Sequence, residues 1–363
     1  MHVILRNATL LLALAVVASC SDSNTSFGGT GNPPTGFMAT NLISDQPGVA
    51  ANTDPLLVNA WGLAMDSQSF WVANNASGHI LVVAPDGSPS KFSPPVSALN
   101  TGPGITGVVA NTTNEFQIGT TSNLAPATAI VASENGQIFG INAAISPTPQ
   151  LVVDRGNAGA VYKGLAIYTA SDGSVRLAVA DFHNNRIDIF DGKFSLIATA
   201  TVVDPDLRPG LAPFNVMAVG SSLYVSYAVQ DATGTDDVPG VGNGRIDVYD
   251  VDGNFAETLL DGGRLNAPWG MAIAPSSFGS GLAGKLIVGN FGDGTLLALN
   301  PTTGVGGALL MPDATPLVID GLWGLAFGNG QVGATSSLYF TAGPQDEMHG
   351  LFGRIDFGTT PPM

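Results

Sequence analysis

Short apolar segments with alternating positions recur along the chain, and six of them share one form. Each begins with Trp or with a polar residue and then alternates apolar positions. The six are WGLAMD (61–66), TGVVAN (106–111), KGLAIY (163–168), NVMAVG (215–220), WGMAIA (269–274) and WGLAFG (323–328). Their spacing of about 45 to 57 residues is typical of one four-stranded sheet per repeat.

Further strands follow each of these segments. In the first repeat, SFWVAN is followed by the turn NASG and then by HILVVAPDG. A short fourth strand that ends in Asp recurs at LVVD (151–154), TVVD (201–204) and TLLD (258–261). In the second repeat, the segment 113–126 interrupts the pattern and is interpreted as an insertion.

The strands at the two ends of the predicted domain are expected to complete one blade together. The last repeat stops after its third strand, and a lone strand, ATNLISD (39–45), precedes the first repeat. Pairing of 39–45 with 350–357 would close the ring and remove two exposed strand edges. We therefore predict an all-β fold, a six-bladed β-propeller of four-stranded blades over residues 37–363. Sandwiches and barrels also contain alternating strands, but six aligned units with a displaced strand favour the propeller.

The recurring Trp-Gly and Ala positions suit the first strand of a blade, which lies at the crowded central axis. Gly and Ala permit a close approach there, and apolar partners wedge between neighbouring blades. Trp61, Trp269 and Trp323 stand at the start of this strand. They are interpreted either as inter-blade wedges or as an aromatic-lined mouth that binds a ligand.

The first 36 residues precede the predicted domain. Residues 1–19 have a weakly basic start and a short apolar run, which indicates an export signal. Val-Ala-Ser-Cys resembles the bacterial lipobox, in which Cys20 is lipidated and becomes the new N-terminus; an ordinary signal peptide is the alternative. Residues 20–36 are interpreted as a lipidated cysteine with a flexible tether. We expect an exported lipoprotein of the cell envelope, at the outer membrane or cell surface.

Composition and charge limit the classes of partner that the protein can bind. The chain is 45% hydrophobic and only 11% charged, with a formal net charge of −16. Removal of residues 1–19 takes away Arg6 and no acid, so the mature charge is −17. No basic patch is visible, which argues against nucleic acid as a partner. Membrane association is therefore expected through the lipid on Cys20, and we expect a monomer.

The segment AVADFHNNRIDIFD (178–191) resembles the NHL repeat, in which a strand ends in Ala-Asp, an Asn-rich turn follows and Arg-Ile begins the next strand. NLISDQPG (41–48) with NAWGLA after it is similar to an uncharacterised bacterial family of secreted NHL-like propellers. Better-known NHL-like and six-bladed relatives include gluconolactonase-type hydrolases, lyases and binding scaffolds. The resemblance therefore implies the fold and leaves the activity open.

Polar residues are concentrated in the turns between second and third strands, where propellers place ligand sites. The same residues also suit turns on backbone grounds alone. The ligand-binding candidates are Trp61, Asn74, Asp181, His183, Asn184, Trp269, Asn290, Asp293, Trp323, Gln345, Asp346 and His349. Asn75, Asn185, Asp231, Asp236, Asp237 and Glu347 lie in the same turns.

The side chains of these turns bear on two metals, zinc and calcium. The histidines of the predicted domain, His79, His183 and His349, fall in or beside these turns, but no His-x-x-x-His pair is present and blades three and six face each other across the ring, which disfavours zinc. Calcium, bound by carboxylate and amide oxygens at the axial channel, is the better candidate. We find no nucleophile elbow, P-loop or dinucleotide fingerprint.

The sequence leaves two functions open. The leading hypothesis is a lipid-anchored extracytoplasmic scaffold that binds a protein or a small-molecule ligand. The alternative is a calcium-assisted hydrolase or lyase of the gluconolactonase-like or NHL-lyase type, with its site at the axial channel.

Overall fold

The recurring apolar segments form the innermost strands of six small antiparallel sheets. The computed structural model describes residues 35–89, 98–100, 102, 104–197 and 204–359. The strands of the first half are β1 (Thr35–Ser44), β2 (Asn52–Thr53), β3 (Ala60–Met65), β4 (Phe70–Asn74), β5 (His79–Val83), β6 (Ala98–Asn100), β7 (Ile105–Ala110), β8 (Gln117–Thr120), β9 (Asn123–Pro126), β10 (Ala129–Ser133), β11 (Gln137–Ile141), β12 (Gln150–Asp154), β13 (Tyr162–Thr169), β14 (Val175–Asp181) and β15 (Arg186–Asp191).

The second half continues the same order. Its strands are β16 (Leu211–Val219), β17 (Ser222–Val229), β18 (Gly244–Asp250), β19 (Phe255–Asp261), β20 (Pro268–Ile273), β21 (Leu286–Asn290), β22 (Leu296–Leu299), β23 (Gly306–Ala308), β24 (Leu322–Phe327), β25 (Ser337–Ala342) and β26 (Leu351–Thr359). A short 3-10 helix, Gly156–Ala158, lies between β12 and β13.

These strands build the predicted six-bladed β-propeller. Blades 1, 4 and 5 are β3–β6, β16–β19 and β20–β23, and blade 2 is β7 with β10–β12. Blade 3 contains β13–β15; its predicted fourth strand at 201–204 lies, apart from Asp204, outside the described residues. Blade 6 consists of β24–β26 and β1. The insertion in blade 2 is confirmed as the hairpin β8–β9.

The chain's beginning closes the ring. Strand β1 pairs antiparallel with β26 over nearly its whole length, from Thr35 opposite Thr359 to Ser44 opposite Leu351. This confirms the predicted pairing of 39–45 with 350–357. Because β26 also pairs with β25, the first strand of the domain completes the last blade and covers the outer edge of β26.

The hydrophobic core is divided among the blade interfaces. Six clusters of buried apolar side chains each span one pair of neighbouring blades. A seventh cluster lies on the axis and is built from aromatic residues of several blades. Each blade is therefore held by its two neighbours, which is why the ring must be complete for the core to be covered.

The recurring phrase is explained by a ring of close contacts between innermost strands, which we call the girdle. It is formed by Gly62, Gly107, Gly164, Asn215, Gly270 and Gly324. At each of these positions, or at the residue just before it, the pairing with the second strand shifts in register. This shared irregularity defines equivalent positions in the six blades.

Each girdle residue lies against the innermost strand of the next blade. A Cβ on Gly107 would stand 2.9 Å from the carbonyl oxygen of Lys163, and a Cβ on Gly324 would stand 2.7 Å from that of Trp61. Gly62 meets Thr106 and Gly270 meets Trp323 in the same way. Glycine is needed because no side chain fits between these backbones.

Blade 4 departs from the glycine pattern. The sequence alignment placed Asn215 opposite the tryptophan of the other blades, and this was wrong by one residue. The register shift falls at Phe214, so Phe214 corresponds to Trp61 and Asn215 to Gly62. The Asn215 side chain bridges the gap to blade 5, where its Nδ2 donates to the carbonyl oxygen of Trp269 at 2.8 Å.

We predict that Gly324→Ala lowers the free energy of unfolding by about 1–3 kcal/mol, because the new methyl group overpacks the girdle. Gly307→Ala is the matched control, since a Cβ there meets no atom within 4 Å. Urea unfolding followed by circular dichroism measures both. An equal effect of the two substitutions would contradict a steric role for the girdle.

Candidate functional site on the turn face

The loops between the second and third strands of the six blades lie on one face of the propeller, which we call the turn face. They span 75–78, 134–136, 182–185, 230–243, 291–295 and 343–350. The innermost strands also begin at this face. The residue just before each girdle position therefore lies where the axis meets the turn face.

Those six preceding residues form a plug across the axis. They are Trp61, Thr106, Lys163, Phe214, Trp269 and Trp323. The three tryptophans are only 4%, 4% and 1% exposed, in that order. Trp61 stacks on Trp323 with ring centroids 3.8 Å apart, and Trp269 meets Trp323 edge-on at 5.7 Å. The tryptophans are thus core residues of the axis, and they do not line an open mouth.

Below the plug runs an axial channel with a cavity volume of about 470 Å³. Its lining comes from the innermost strands of all six blades, and its side chains are mostly apolar, with Leu63, Ile167 and Met217 as examples. The lining contains no carboxylate, and Asn215 is the one amide side chain in it. Among the lining side chains, Asn215 alone offers an oxygen to a channel-bound calcium.

Lys163 is the one charged member of the plug. Its side chain is 1% exposed, and its Nζ lies 2.5 Å from Glu134 Oε1 and 3.5 Å from Asp236 Oδ1. The ammonium also stands 4.9 Å from the ring centroid of Trp61 and 5.7 Å from that of Phe182. A buried ammonium requires such compensation, because its desolvation is otherwise unfavourable.

Four carboxyl groups from three blades interact with this ammonium, Glu134 and Asp236 by direct contact and Asp237 and Glu347 through its charge. Glu134 comes from blade 2, Asp236 and Asp237 from blade 4, and Glu347 from blade 6. Together with Lys163 we call them the carboxylate–lysine cluster. Four acids facing one base leave the cluster acidic.

Amide and indole groups connect the members of the cluster. Asn75 Nδ2 donates to Glu134 Oε2 at 3.1 Å. Trp61 Nε1 donates to Glu347 Oε1 at 3.1 Å and to Asn59 Oδ1 at 2.9 Å. Two plug residues, Trp61 and Lys163, are therefore hydrogen-bonded to the turn-face loops of blades 6 and 2.

Burial changes the acidity of two cluster carboxyls. It raises the pKa of Asp237 to about 7; Lys163 opposes this rise, while Glu347 and Asp236 add to it. Burial also raises the pKa of Glu347, against the effect of hydrogen bonds from Asn59 and Trp61. Asp237 Oδ2 is buried and has no hydrogen-bond partner among the described residues, which fits a carboxyl that is partly protonated near neutral pH.

Several predicted site residues instead brace their own turns. Asn74, Asp181 and Asn290 are fully buried. Asn74 Nδ2 donates to the carbonyl oxygen of His79, and Asn290 Nδ2 donates to that of Arg264, each at 2.9 Å. Asp181 forms an ion pair with Arg186 at 3.1 Å.

The remaining predicted residues divide between turn contacts and the rim of the face. Asn184 donates to Asp181 at 2.8 Å, and Asp293 accepts from the hydroxyl of Thr295 at 2.6 Å. His183 is exposed and lies against Gly234, in the loop that carries Asp236 and Asp237. Gln345 and Asp346 are exposed in the loop of blade 6, and His349 contacts the segment after β1.

Sequence reasoning missed Glu134, Lys163 and Asn59. The available signal was in the repeat itself, since KGLAIY carries Lys where three other copies carry Trp. An ammonium at an axial core position must find counter-charges nearby. Asp236, Asp237 and Glu347 were noted only as turn residues.

Two further findings concern metals and membranes. Within the described ranges, no group of three or more His, Cys, Asp or Glu side chains is placed to hold a metal ion. In the same ranges, no helix has the length and apolar character needed to cross a membrane. Cys20 and the predicted signal and tether lie outside the described residues.

Comparisons with known sequences give viral relatives. The chain is 30% identical over 323 residues to the uncharacterised protein R648 of Acanthamoeba polyphaga mimivirus, a match over 86% of this chain and 78% of the relative. It is also 30% identical over 325 residues to protein L690 of the same virus, over 86% and 84% of the two chains. No protein-family model matches the chain.

Solved structures share the fold at low identity. A Bacteroides thetaiotaomicron protein of unknown function has a TM-score of 0.57 and 11% identity, over 89% of this chain and 76% of that one. The soluble aldose sugar dehydrogenase of Escherichia coli has a TM-score of 0.52 and 12% identity, over 88% and 99%. At these identities the likeness is one of fold.

The raised pKa of Asp237 gives a prediction about stability. The folded state binds a proton that the unfolded chain releases at about pH 4, so the free energy of unfolding falls as pH rises from about 4 to about 7. Asp237→Asn removes this contribution. We expect the variant to lose less stability than wild type between pH 5 and pH 8, by on the order of 1 kcal/mol, in urea unfolding at both pH values.

Asp293→Asn is the matched control, because this exposed carboxylate lies in the turn of blade 5, outside the cluster. We expect it to keep the wild-type dependence of stability on pH. Identical pH dependence in Asp237→Asn and wild type would contradict the burial of Asp237.

Proposed function

We propose a function for this chain from the carboxylate–lysine cluster on its turn face. The chain belongs to the family of the mimivirus proteins R648 and L690. The protein acts as a binding scaffold, and the cluster binds a positively charged group of a small-molecule ligand or a partner protein. An amine or guanidinium group is the chemistry that an acidic, partly desolvated cluster favours.

One observation carries this proposal: two carboxylates contact a single buried ammonium, and two further carboxyl groups feel its charge. The positive charge of Lys163 neutralises one carboxylate, mainly that of Glu134, because Glu134 makes the shortest contact with the ammonium. Asp237 and Glu347 are left half-buried with raised pKa values. An incoming cation would stabilise their ionised forms and so relieve the cost of their burial.

The shape of the face supports binding of a group presented from outside. The plug fills the axis, so a ligand on this face meets the loops and not the channel. The exposed loops of blades 4 and 6 also carry apolar side chains, since Val238 is 40% and Met348 is 63% exposed. These would contact the apolar part of a ligand whose charged end lies at the cluster.

We further propose that the scaffold is exported and anchored by lipid on Cys20, which would place the turn face outside the cytoplasm. The support is the sequence of residues 1–36 alone. NHL-like character is proposed from the third blade, where the Asp181–Arg186 ion pair joins the two strands of the NHL-like turn.

An acid–base hydrolase is the second candidate function, and the observation that favours it is the pKa of Asp237 near 7. A carboxyl with that pKa can both give and take a proton at neutral pH. The reaction would then take place at the turn-face cluster, because no titratable side chain is among the residues that line the axial channel.

We expect 1,4-diaminobutane to bind the purified protein at pH 8 and low salt, as measured by isothermal titration calorimetry. Glu347→Gln should weaken binding about tenfold, which corresponds to about 1.4 kcal/mol, because it removes one carboxylate of the cluster. Added salt should weaken binding in wild type.

Two controls accompany this titration. The neutral analogue 1,4-butanediol should give no saturable heat. Asp293→Asn, which changes a carboxylate in the turn of blade 5, should bind as wild type does. Diamine binding that is absent, or unchanged in Glu347→Gln, would sink the proposed site.

Hydrolysis of glucono-δ-lactone tests the second candidate. If the cluster is catalytic, wild type should accelerate hydrolysis between pH 6 and pH 8, and Asp237→Asn should reduce the rate at least tenfold. Rates equal to the uncatalysed reaction, with or without calcium chloride, would remove lactone hydrolysis from consideration.

A further inference from the structure

The loop of blade 6, residues 343–350, connects two separate parts of the molecule. Its Glu347 accepts a hydrogen bond from Trp61 in the plug, at 3.1 Å. Two residues later, His349 contacts Asp45, which directly follows the ring-closing strand β1. The loop therefore touches both the candidate site and the closure of the ring.

The conformation of this loop is unusual. Gln345, Asp346 and Glu347 have φ values of 58°, 54° and 63°. Three consecutive non-glycine residues in the left-handed region are strongly disfavoured for L-amino acids. Such a segment persists only where surrounding contacts hold it, and this kind of strain is concentrated at functional sites.

The contacts between this loop and the residues after β1 are specific. His349 Nδ1 lies 2.8 Å from Asp45 Oδ2, and the backbone N–H of Gly350 donates to Asp45 Oδ1 at 2.9 Å. Gln46 Nε2 lies 2.9 Å from His349 Nε2. With the Gln46 amide donating to Nε2, the histidine carries its proton on Nδ1 and donates it to Asp45.

Close packing fixes the base of the loop. The backbone N–H of Asn59 donates to the carbonyl oxygen of His349 at 3.0 Å. The backbone N–H of Gln345 donates to Asp320 Oδ2 at 2.8 Å. A Cβ on Gly343 or Gly350 would clash with Asn59 or Leu57, so both ends of the loop are pressed against their neighbours.

We propose that Asp45 and His349 are positioning residues that hold the left-handed turn and thereby place Glu347 at the turn-face cluster. This inference rests on the proposed function, because it assigns a role to a residue of that binding site. Neither residue touches the ligand. Asp45 holds the ring of His349 in place, and His349 holds the end of the left-handed turn. That turn sets the position of the Glu347 carboxylate.

This arrangement couples ring closure to binding. Asp45, the acceptor for His349, directly follows the strand that completes blade 6, so pairing of β1 with β26 favours the binding geometry of Glu347. By thermodynamic linkage, a cation bound at the cluster in turn favours the pairing of β1 with β26. In the sequence, β1 is also the first strand after the predicted lipid tether.

The test uses the indole N–H of Trp61 as a reporter of Glu347. In ¹⁵N-labelled protein, this resonance is assigned by comparison with Trp61→Phe and followed from pH 4 to pH 8. The inflection due to Glu347 is identified by its loss in Glu347→Gln. We expect Asp45→Asn and His349→Phe each to lower the inflection by at least half a pH unit, or to abolish it, because Glu347 becomes more solvated.

Phe37→Ala is the matched control. Phe37 lies near the opposite end of β1, where its ring packs 5.0 Å from that of Phe357 and 5.2 Å from that of Phe278. This substitution should lower the unfolding midpoint but leave the Trp61 inflection in place. An inflection that Asp45→Asn and His349→Phe leave unchanged would overturn the proposal, and so would an equal shift in Phe37→Ala.

The same experiment separates this inference from the proposed function, since it uses no ligand. A shifted inflection in the two variants, together with no diamine binding in wild type, would remove the binding function and leave the positioning role. Diamine binding that is equal in wild type, Asp45→Asn and His349→Phe would overturn the positioning role and leave the function.

Discussion

Backbone-to-backbone contact at the girdle is the constraint on which the rest of the molecule depends. Six innermost strands meet around one axis, and five of them approach the next blade closely enough that only glycine fits. The sixth uses the amide of Asn215 to bridge the gap. The blade interfaces, the apolar channel and the plug all take their positions from this ring, because it sets the distance of each blade from the axis.

The candidate site follows from one departure within the ring. The position before the girdle carries an aromatic residue in four blades and threonine in a fifth, whereas blade 3 carries Lys163. An ammonium enclosed by indole and phenyl rings needs carboxylates within reach. The loops of blades 2 and 4 supply them directly, and Glu347 of blade 6 adds its charge beside Trp61.

The blades and the turn-face loops have separate roles, which explains why solved structures share the fold at low sequence identity. Chains of 11% and 12% identity share the fold, which shows that many sequences satisfy the packing of a propeller. The turn-face loops are under a different constraint, since they carry the charged groups. Loops on a rigid frame can change their chemistry without changing the blades, so fold and activity separate readily in this architecture.

The sequence by itself determined the blades, the presence of an insertion in blade 2 and the closure by β1, because strand alternation and repeat spacing are local properties. It placed Asn215 one residue out of register, since a bulge leaves no mark on apolar alternation. It also named Asn74, Asp181 and Asn290 as ligand candidates, although burial makes them braces of their own turns. Only the tertiary structure joined Glu134, Lys163, Asp237 and Glu347, because their chemistry arises where loops from different blades converge on the axis.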